Sequence, residues 1–228
     1  MVWNEELLFL HAQKTAGMAV SEVLWNTLRT PVFSSVPLGH WDRILRPGVA
    51  QVLGHRHENL YEAAVILKPF KRQLSDFAVI LAVMRNPYDM EISRYYHLRK
   101  PEAFEEGEDR ELARTLSFQE FVLRSKFRTP RPFDPKLQFQ ESIKNYYALG
   151  DAFLKNLRVL RYENLASELN RELQALGYEP VTLPLVNVSE ERKERSHAQL
   201  ISSAEVEAAI YQKYRWLFEH GFYPRISF

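Results

Sequence analysis

Four short runs along the chain, at residues 7–11, 51–54, 77–84 and 157–162, have the apolar character of strands buried on both faces of a parallel sheet. A helix-like stretch follows each. Val20, Val23, Leu24 and Leu28 recur at helical spacing after the first run. Ile92, Tyr95, Tyr96 and Arg99 do so after the third, and Pro87 suits a first helical turn. Strands alternating with helices predict an α/β fold with a central parallel sheet of four or five strands, flanked by helices. The pattern changes over residues 98–136, where an acidic cluster at 105–111 precedes a basic, proline-bearing stretch at 124–136. It predicts a helical or loop insertion in a single domain spanning residues 1–228. Residues 142–153 and 203–220 predict two more helices, the second with Val206, Ile210, Tyr214 and Leu217 on one face.

Composition narrows the function classes. With 228 residues, 46% of them hydrophobic, the chain can build one sizeable core. Thirty basic residues against 29 acidic ones leave a net charge of +1, so no global field favours nucleic acid or an anionic membrane, and any anion must be recognised locally. The absence of cysteine excludes disulfides, thiolate metal sites and cysteine nucleophiles, and it points to a cytoplasmic chain. The longest apolar run, at 77–84, falls far short of the roughly 20 residues that span a bilayer. Glu5 and Glu6 stand where a basic leader would begin. The expectation is no membrane segment, although an anchor removed from before Leu7 would leave the same pattern.

Two constellations carry chemistry. The first is Phe9-Leu10-His11-Ala12-Gln13-Lys14-Thr15-Ala16-Gly17-Met18-Ala19, a strand joined to a helix through a loop with one lysine, one hydroxyl and one glycine. Free N–H groups at a helix start attract an anion, Gly17 allows close backbone approach, and Lys14 adds a full charge. The long glycine-rich loop ending in Gly-Lys-Ser/Thr is missing, which argues against an ordinary ATPase or GTPase. The second constellation runs from Val83 to Tyr96. Arg85 ends the most strand-like run, where open α/β sheets bind ligands, and Ser93 lies two helical turns on, after roughly 9 Å of rise from Pro87. A bidentate fork and a hydroxyl can hold one phosphate. The plainer reading pairs Arg85 with Asp89 and leaves Ser93 on a solvent face.

Together the two segments resemble the 5′-phosphosulfate loop and the 3′-phosphate motif of sulfotransferases, most closely the carbohydrate sulfotransferase (heparan sulfate 2-O-sulfotransferase-like) branch. Lys14, Thr15, Ala16 and Gly17 match the loop. Arg85, Asn86, Pro87, Ser93 and Tyr95 match the second motif, and Leu160-Arg161-Tyr162-Glu163-Asn164-Leu165 resembles a strand-ending element of the family. The resemblance implies a P-loop-like three-layer fold and 3′-phosphoadenosine 5′-phosphosulfate (PAPS) as sulfuryl donor, with adenosine 3′,5′-bisphosphate (PAP) as product. It implies a small-molecule or carbohydrate acceptor carrying a hydroxyl. Residues 14–18, Lys14 to Met18, would bind the 5′-phosphosulfate, Arg85 and Ser93 the 3′-phosphate, and Lys14 would stabilise the leaving group. Gln13 stands where proline is usual, and Met18 and Ala19 replace two hydroxyl residues. Those departures keep a second reading open, a non-catalytic nucleotide-binding or interaction module of the same fold.

For the base, the family places a histidine after a glycine following the second strand, which maps to His55 in Leu53-Gly54-His55-Arg56-His57-Glu58. His57 is two residues away and stays a candidate, since either imidazole suits a proton acceptor near neutral pH. His11 and His40 read as strand-end or turn residues, Glu58 as a cap of the next helix, and Glu163 as a cap of the helix starting near Asn164. No third ligand accompanies His55 and His57 at metal-site spacing, so no metal is expected. Arg124, Lys126, Arg128 and Arg131 could hold an anionic acceptor or form a solvated face. Arg192, Lys193 and Arg195 lie where a basic loop of the family often reaches the cofactor.

Overall fold

The computed structural model describes residues 1–37, 46–100, 107–125, 143–184 and 200–228. They gather into two compact units, Met1–Met84 with Thr129–Val186 and Arg85–Arg128 with Asn187–Phe228. The described strands are β1 (Val2–Trp3), β2 (Leu7–Leu10), β3 (Val32–Val36), β4 (Val49–Leu53), β5 (Val79–Met84) and β6 (Leu157–Arg161). The described α-helices are α1 (Gly17–Thr27), α2 (Leu60–Leu67), α3 (Pro87–Arg99), α4 (Glu108–Thr115), α5 (Phe118–Arg124), α6 (Leu165–Ala175), α7 (Ala204–Lys213) and α8 (Arg215–Glu219). No described helix is long and apolar enough to cross a membrane.

The first unit is a mixed α/β layer structure built on one sheet, in the order β4-β3-β1-β2-β5-β6. The pairs β3/β4, β2/β5 and β5/β6 are parallel, whereas β1 runs antiparallel to both β2 and β3. Five strands therefore share one direction, and the loops that leave β2 and β4 open at the same edge. On one face Leu7, Phe9, Leu81, Val83 and Leu160 pack with Val20 and Leu24 of α1 and with Leu165, Leu169 and Leu173 of α6. On the other face Leu8, Leu10, Ile80, Ala82 and Met84 are also fully buried. Burial on both sides is why β2 and β5 read as unbroken apolar runs, whereas the edge strands β4 and β6, also expected to be buried on both faces, expose Ala50, Leu53 and Arg158. Each such side chain contributes about 1.5–3 kcal/mol relative to exposure.

The expected four or five strands become six among the described residues. β1 is two residues long, too short to show a period, and it supplies the antiparallel member. β3 reads Val-Phe-Ser-Ser-Val, and Ser34 and Ser35 are both buried, so its polar half hid it. The helix expected over 142–153 is not formed in its described part: a 3₁₀ turn, Ile143–Tyr146, leads into a bridge between Leu149 and Ala152. Gly150, at φ 60°, supplies the left-handed residue that this tight reversal requires.

In the second unit α3 starts as the sequence predicts, with Pro87 in the first turn and the Asn86 side chain accepting from Tyr88 N at 3.0 Å. Ile92 and Tyr95 are buried and Leu98 continues that face, whereas Arg99 is exposed. The long helix expected over 203–220 breaks at Tyr214 (φ −116°, ψ 22°) into α7 and α8. Val206, Ile210, Tyr214 and Leu217 are nevertheless buried together, as the helical spacing requires. At the centre lies Glu91, fully buried, which accepts from Tyr214 Oη at 2.8 Å and from Lys213 Nζ at 3.2 Å. Of the acidic cluster, Glu108, Asp109 and Glu111 occupy the first turn of α4, the favourable end of its dipole, and Asp109 pairs with Arg94. His40, residues 101–106, Lys126, Arg128, Arg131, Arg192, Lys193 and Arg195 lie outside the described residues.

Candidate functional site

The loop between β2 and α1 is bent by two non-glycine residues in the left-handed region, Lys14 (φ 59°) and Ala16 (φ 61°). Each such residue costs about 1–2 kcal/mol, so the conformation is held by its surroundings. Part of that hold is Thr15, fully buried, whose hydroxyl donates to the Ala12 carbonyl at 2.8 Å. Ala16 is the N-cap of α1 and offers no side-chain acceptor. The amides of the first turn are thus left to the loop and to whatever anion meets it.

The glycine of this loop serves a different contact from the one the motif suggests. A Cβ built on Gly17 would stand 1.8 Å from Cδ2 and 2.2 Å from Nε2 of His11, so the imidazole of His11 lies directly against the Gly17 backbone. His11, read from sequence as a mere strand end, is 4% exposed, and its Nδ1 makes no hydrogen bond among the described residues. Burial, then the neighbouring His57, holds its pKa well below the ordinary value. Gly17→Ala should therefore destabilise the protein by about 1–3 kcal/mol, the usual cost of overpacking, although Ala in a helix normally gains up to about 1 kcal/mol over Gly. Urea denaturation checks this. Adding His11→Ala should recover part of the loss, and strictly additive losses would show that the ring contact is not its source.

The loop between β4 and α2 is organised by Glu58. This carboxylate is fully buried and accepts from the His55 and Arg56 amides through Oε1, at 2.7 and 3.1 Å. Its Oε2 accepts from Ser35 Oγ at 2.7 Å and from the Met1 α-ammonium at 2.9 Å. Glu58 is therefore not the helix cap. Asn59 caps α2, accepting from Tyr61 N and Glu62 N, while Glu62 Oε2 accepts from Asn59 N at 2.9 Å. Gly54 is required here because a Cβ would stand 2.2 Å from Glu58 Oε1. Arg56 takes the left-handed region at φ 77°, and its Nη1 lies 3.4 Å from Met18 Sδ in the first turn of α1.

The two loops meet through the histidines. His57 Nδ1 lies 3.0 Å from the His11 carbonyl oxygen, and the rings of His11 and His57 make an edge contact with centroids 4.4 Å apart. The His57 amide donates to His55 Nδ1 at 3.3 Å, and His55 Nε2 lies 3.2 Å from Glu62 Oε1. From the far side Tyr146 Oη donates to the His57 carbonyl at 2.6 Å. Burial lowers the His57 pKa to about 4, while the His11 carbonyl and Glu58 oppose it. The structure thus brings Lys14–Met18, His55 and His57 into one unit, and it adds His11, Glu58 and Glu62, whose roles needed the tertiary contacts to appear. No group of three or more His, Asp or Glu among the described residues is placed to hold a metal ion.

In the second unit Arg85 is buried, and its Nε donates to Asp89 Oδ2 at 2.6 Å, the ion pair of the plainer sequence reading. Ser93, half-buried, lies further along α3. Back in the first unit, Glu163 is exposed in a 3₁₀ turn, and the Asn164 position has no side-chain cap. The carboxylate that reaches back to this strand end is that of Glu168, which accepts from Arg161 N at 2.7 Å.

Neither a protein-family model nor a curated protein matches the chain. Among solved structures, the mouse sulfotransferase SULT7A1, complexed with PAP, superimposes with a TM-score of 0.41 at 17% identity, covering 88% of this chain and 67% of that one.

Proposed function

We propose that the chain is a sulfotransferase that moves the sulfuryl group of PAPS to an acceptor hydroxyl. The observation that carries this reading is the joining of the two loops: the lysine loop at the start of α1 and the histidine loop after β4 are linked through His57 Nδ1 and the His11 carbonyl, and through Arg56 and Met18. A cation at an uncapped helix start suits an anionic leaving group, and a histidine within the same cluster suits the proton of an attacking hydroxyl. In this reading the acceptor oxygen attacks sulfur, the bond from sulfur to the 5′-phosphate oxygen breaks, the hydroxyl proton passes to the histidine pair, and PAP departs. Lys14 faces the departing oxygen as its charge grows. Residues 14–18 bind the 5′-phosphosulfate, Arg85 and Ser93 bind the 3′-phosphate, and a metal is not needed because the sulfuryl group carries less charge than a phosphoryl group. The sequence resemblance supports a sugar or another hydroxylated metabolite as acceptor.

Lys14→Ala should lower kcat by roughly 10²–10³, the scale for removing one transition-state donor, while the dissociation constant for PAP rises less than tenfold. Turnover with radiolabelled PAPS and calorimetric PAP titration measure the two. Equal losses would demote Lys14 to a binding residue. The thioether of Met18, standing in the place of a hydroxyl, favours the second reading of a binding module without turnover. Wild-type protein that binds PAP yet transfers no label to a panel of hydroxylated acceptors would decide for it.

A further inference from the structure

We propose that the proton of the attacking hydroxyl goes to Nε2 of His57 rather than to His55, and that His55 with Glu62 serves to position His57. This rests on the sulfotransferase reading above.

The hydrogen bonds assign the tautomers. A carbonyl oxygen only accepts, so the 3.0 Å contact with His11 O puts the proton of neutral His57 on Nδ1 and the lone pair on Nε2. An amide N–H only donates, so the 3.3 Å contact from His57 N leaves His55 Nδ1 unprotonated and puts the His55 proton on Nε2. That Nε2 lies 3.2 Å from Glu62 Oε1, out of line for a hydrogen bond, and is shut away from solvent. His55 therefore has its lone pair occupied by backbone and its proton on a buried nitrogen beside a carboxylate. His57 Nε2 makes no hydrogen bond among the described residues and is not among the polar atoms shut away from solvent. Of the two imidazoles, only that of His57 keeps a basic nitrogen that meets no hydrogen-bond donor among the described residues.

The surroundings hold His57 in this state. Its carbonyl is fixed by Tyr146, its amide by His55, and its ring by the carbonyl and ring of His11. The charged and titratable groups that face it are His11 from the end of β2, the Met1 ammonium beside β1, and His55 and Glu58 from its own loop. Burial outweighs them and keeps the ring neutral at working pH, and an anionic donor bound nearby favours its protonated form during the transfer. Bond formation between acceptor oxygen and sulfur, cleavage of sulfur from the 5′-phosphate oxygen, and arrival of the proton at Nε2 complete the balance, with the neutral imidazole becoming an imidazolium.

The test combines a label and kinetics. Brief treatment of the wild-type chain with diethyl pyrocarbonate at neutral pH, mapped by peptide mass spectrometry, should modify His57 before His55, with or without any acceptor. His57→Gln should lower kcat by roughly 10² or more with PAP affinity within about threefold of wild type. His55→Ala should fall about tenfold, and His55→Asn, whose Oδ1 can accept the His57 amide, should recover most of that loss, a rescue expected of a positioning residue. The acid limb of kcat/KM for the wild type should lie below the ordinary histidine value of about 6.5. Preferential labelling of His55, or a His57→Gln enzyme with near-normal kcat, overturns the proposal while leaving the sulfotransferase reading intact. Wild-type protein without sulfuryl transfer overturns both, and the label then bears only on the tautomers.

Discussion

Glu58→Gln will lower folding stability by about 3–5 kcal/mol, the scale for removing one member of a buried ion pair. The carboxylate accepts from four donors with its two oxygens: the Met1 ammonium, Ser35 Oγ and the amides of His55 and Arg56. Glutamine replaces one oxygen by an NH₂ that faces donors, and it leaves the ammonium buried without its counter-charge. Urea denaturation at pH 7.5 measures the loss, and a change under about 1 kcal/mol would refute the anchoring role of Glu58. The pH dependence follows with one sign. Burial pushes the Glu58 carboxyl up, but the ammonium, His55 and Ser35 outweigh it and hold its pKa far below 4.5, so its stabilisation is present above that value and lost as pH falls below it. His57, lowered to about 4, leaves the unfolded chain to take the proton first, so stability declines as pH falls from about 6.5 to 4. The Met1 ammonium, lowered from 8.0 chiefly by burial, acts in the same direction up to pH 8. From His57 alone the wild type should lose about 2–3 kcal/mol between pH 7.5 and 4.5.

Glu58 also shows where sequence reading stops. A glutamate four residues after the strand-following Gly54, just before an apolar helix, has the pattern of a cap, and only the fold reveals that it faces inward while Asn59 does the capping. β2 and β5 were legible because burial on both faces imprints itself on every residue of a strand, whereas the edge strand β6 shows only its buried Leu157 and Leu160 between exposed or half-buried positions. β3 was not, because Ser34 and Ser35 are both buried, Ser35 in hydrogen bonds to Glu58 and the Met1 carbonyl, and buried polar residues leave no hydrophobic period. The lysine loop was legible as a motif, but its left-handed bends fall at Lys14 and Ala16, where no propensity rule places them. Gly17 was visible as a point of close approach. That the approaching group is the His11 ring depends on the pairing of β2 with its neighbours and on the entry angle of α1, neither of which is local information.

PAP will raise the melting temperature by roughly 5–11 °C at about 100 times its dissociation constant, and AMP will give little. Saturation to that degree stabilises the native state by about 2.7 kcal/mol, and for a chain of this size each kcal/mol moves the midpoint by about 2–4 °C. The expected difference between the two nucleotides comes from the 3′-phosphate, which the sulfotransferase reading assigns to Arg85 and Ser93. Asp89 takes Arg85 Nε at 2.6 Å and orients the guanidinium of a side chain that is only 3% exposed, the group that in this reading would meet the phosphate. Charge-assisted bonds formed by such a pre-oriented, desolvated arginine are the strong kind. Arg85→Ala should thus erase the preference for PAP over AMP. Because that change also leaves the Asp89 carboxylate without its pair and lowers the baseline stability, Ser93→Ala provides the milder variant, which should shrink the PAP shift without moving the midpoint of the ligand-free protein by more than about 2 °C. Differential scanning fluorimetry with PAP, AMP, ADP and ATP in parallel measures all of these. A larger shift with ATP than with PAP, or a PAP shift unchanged in both variants, would remove the 3′-phosphate from Arg85 and Ser93 and with it the nucleotide on which the sulfotransferase reading depends.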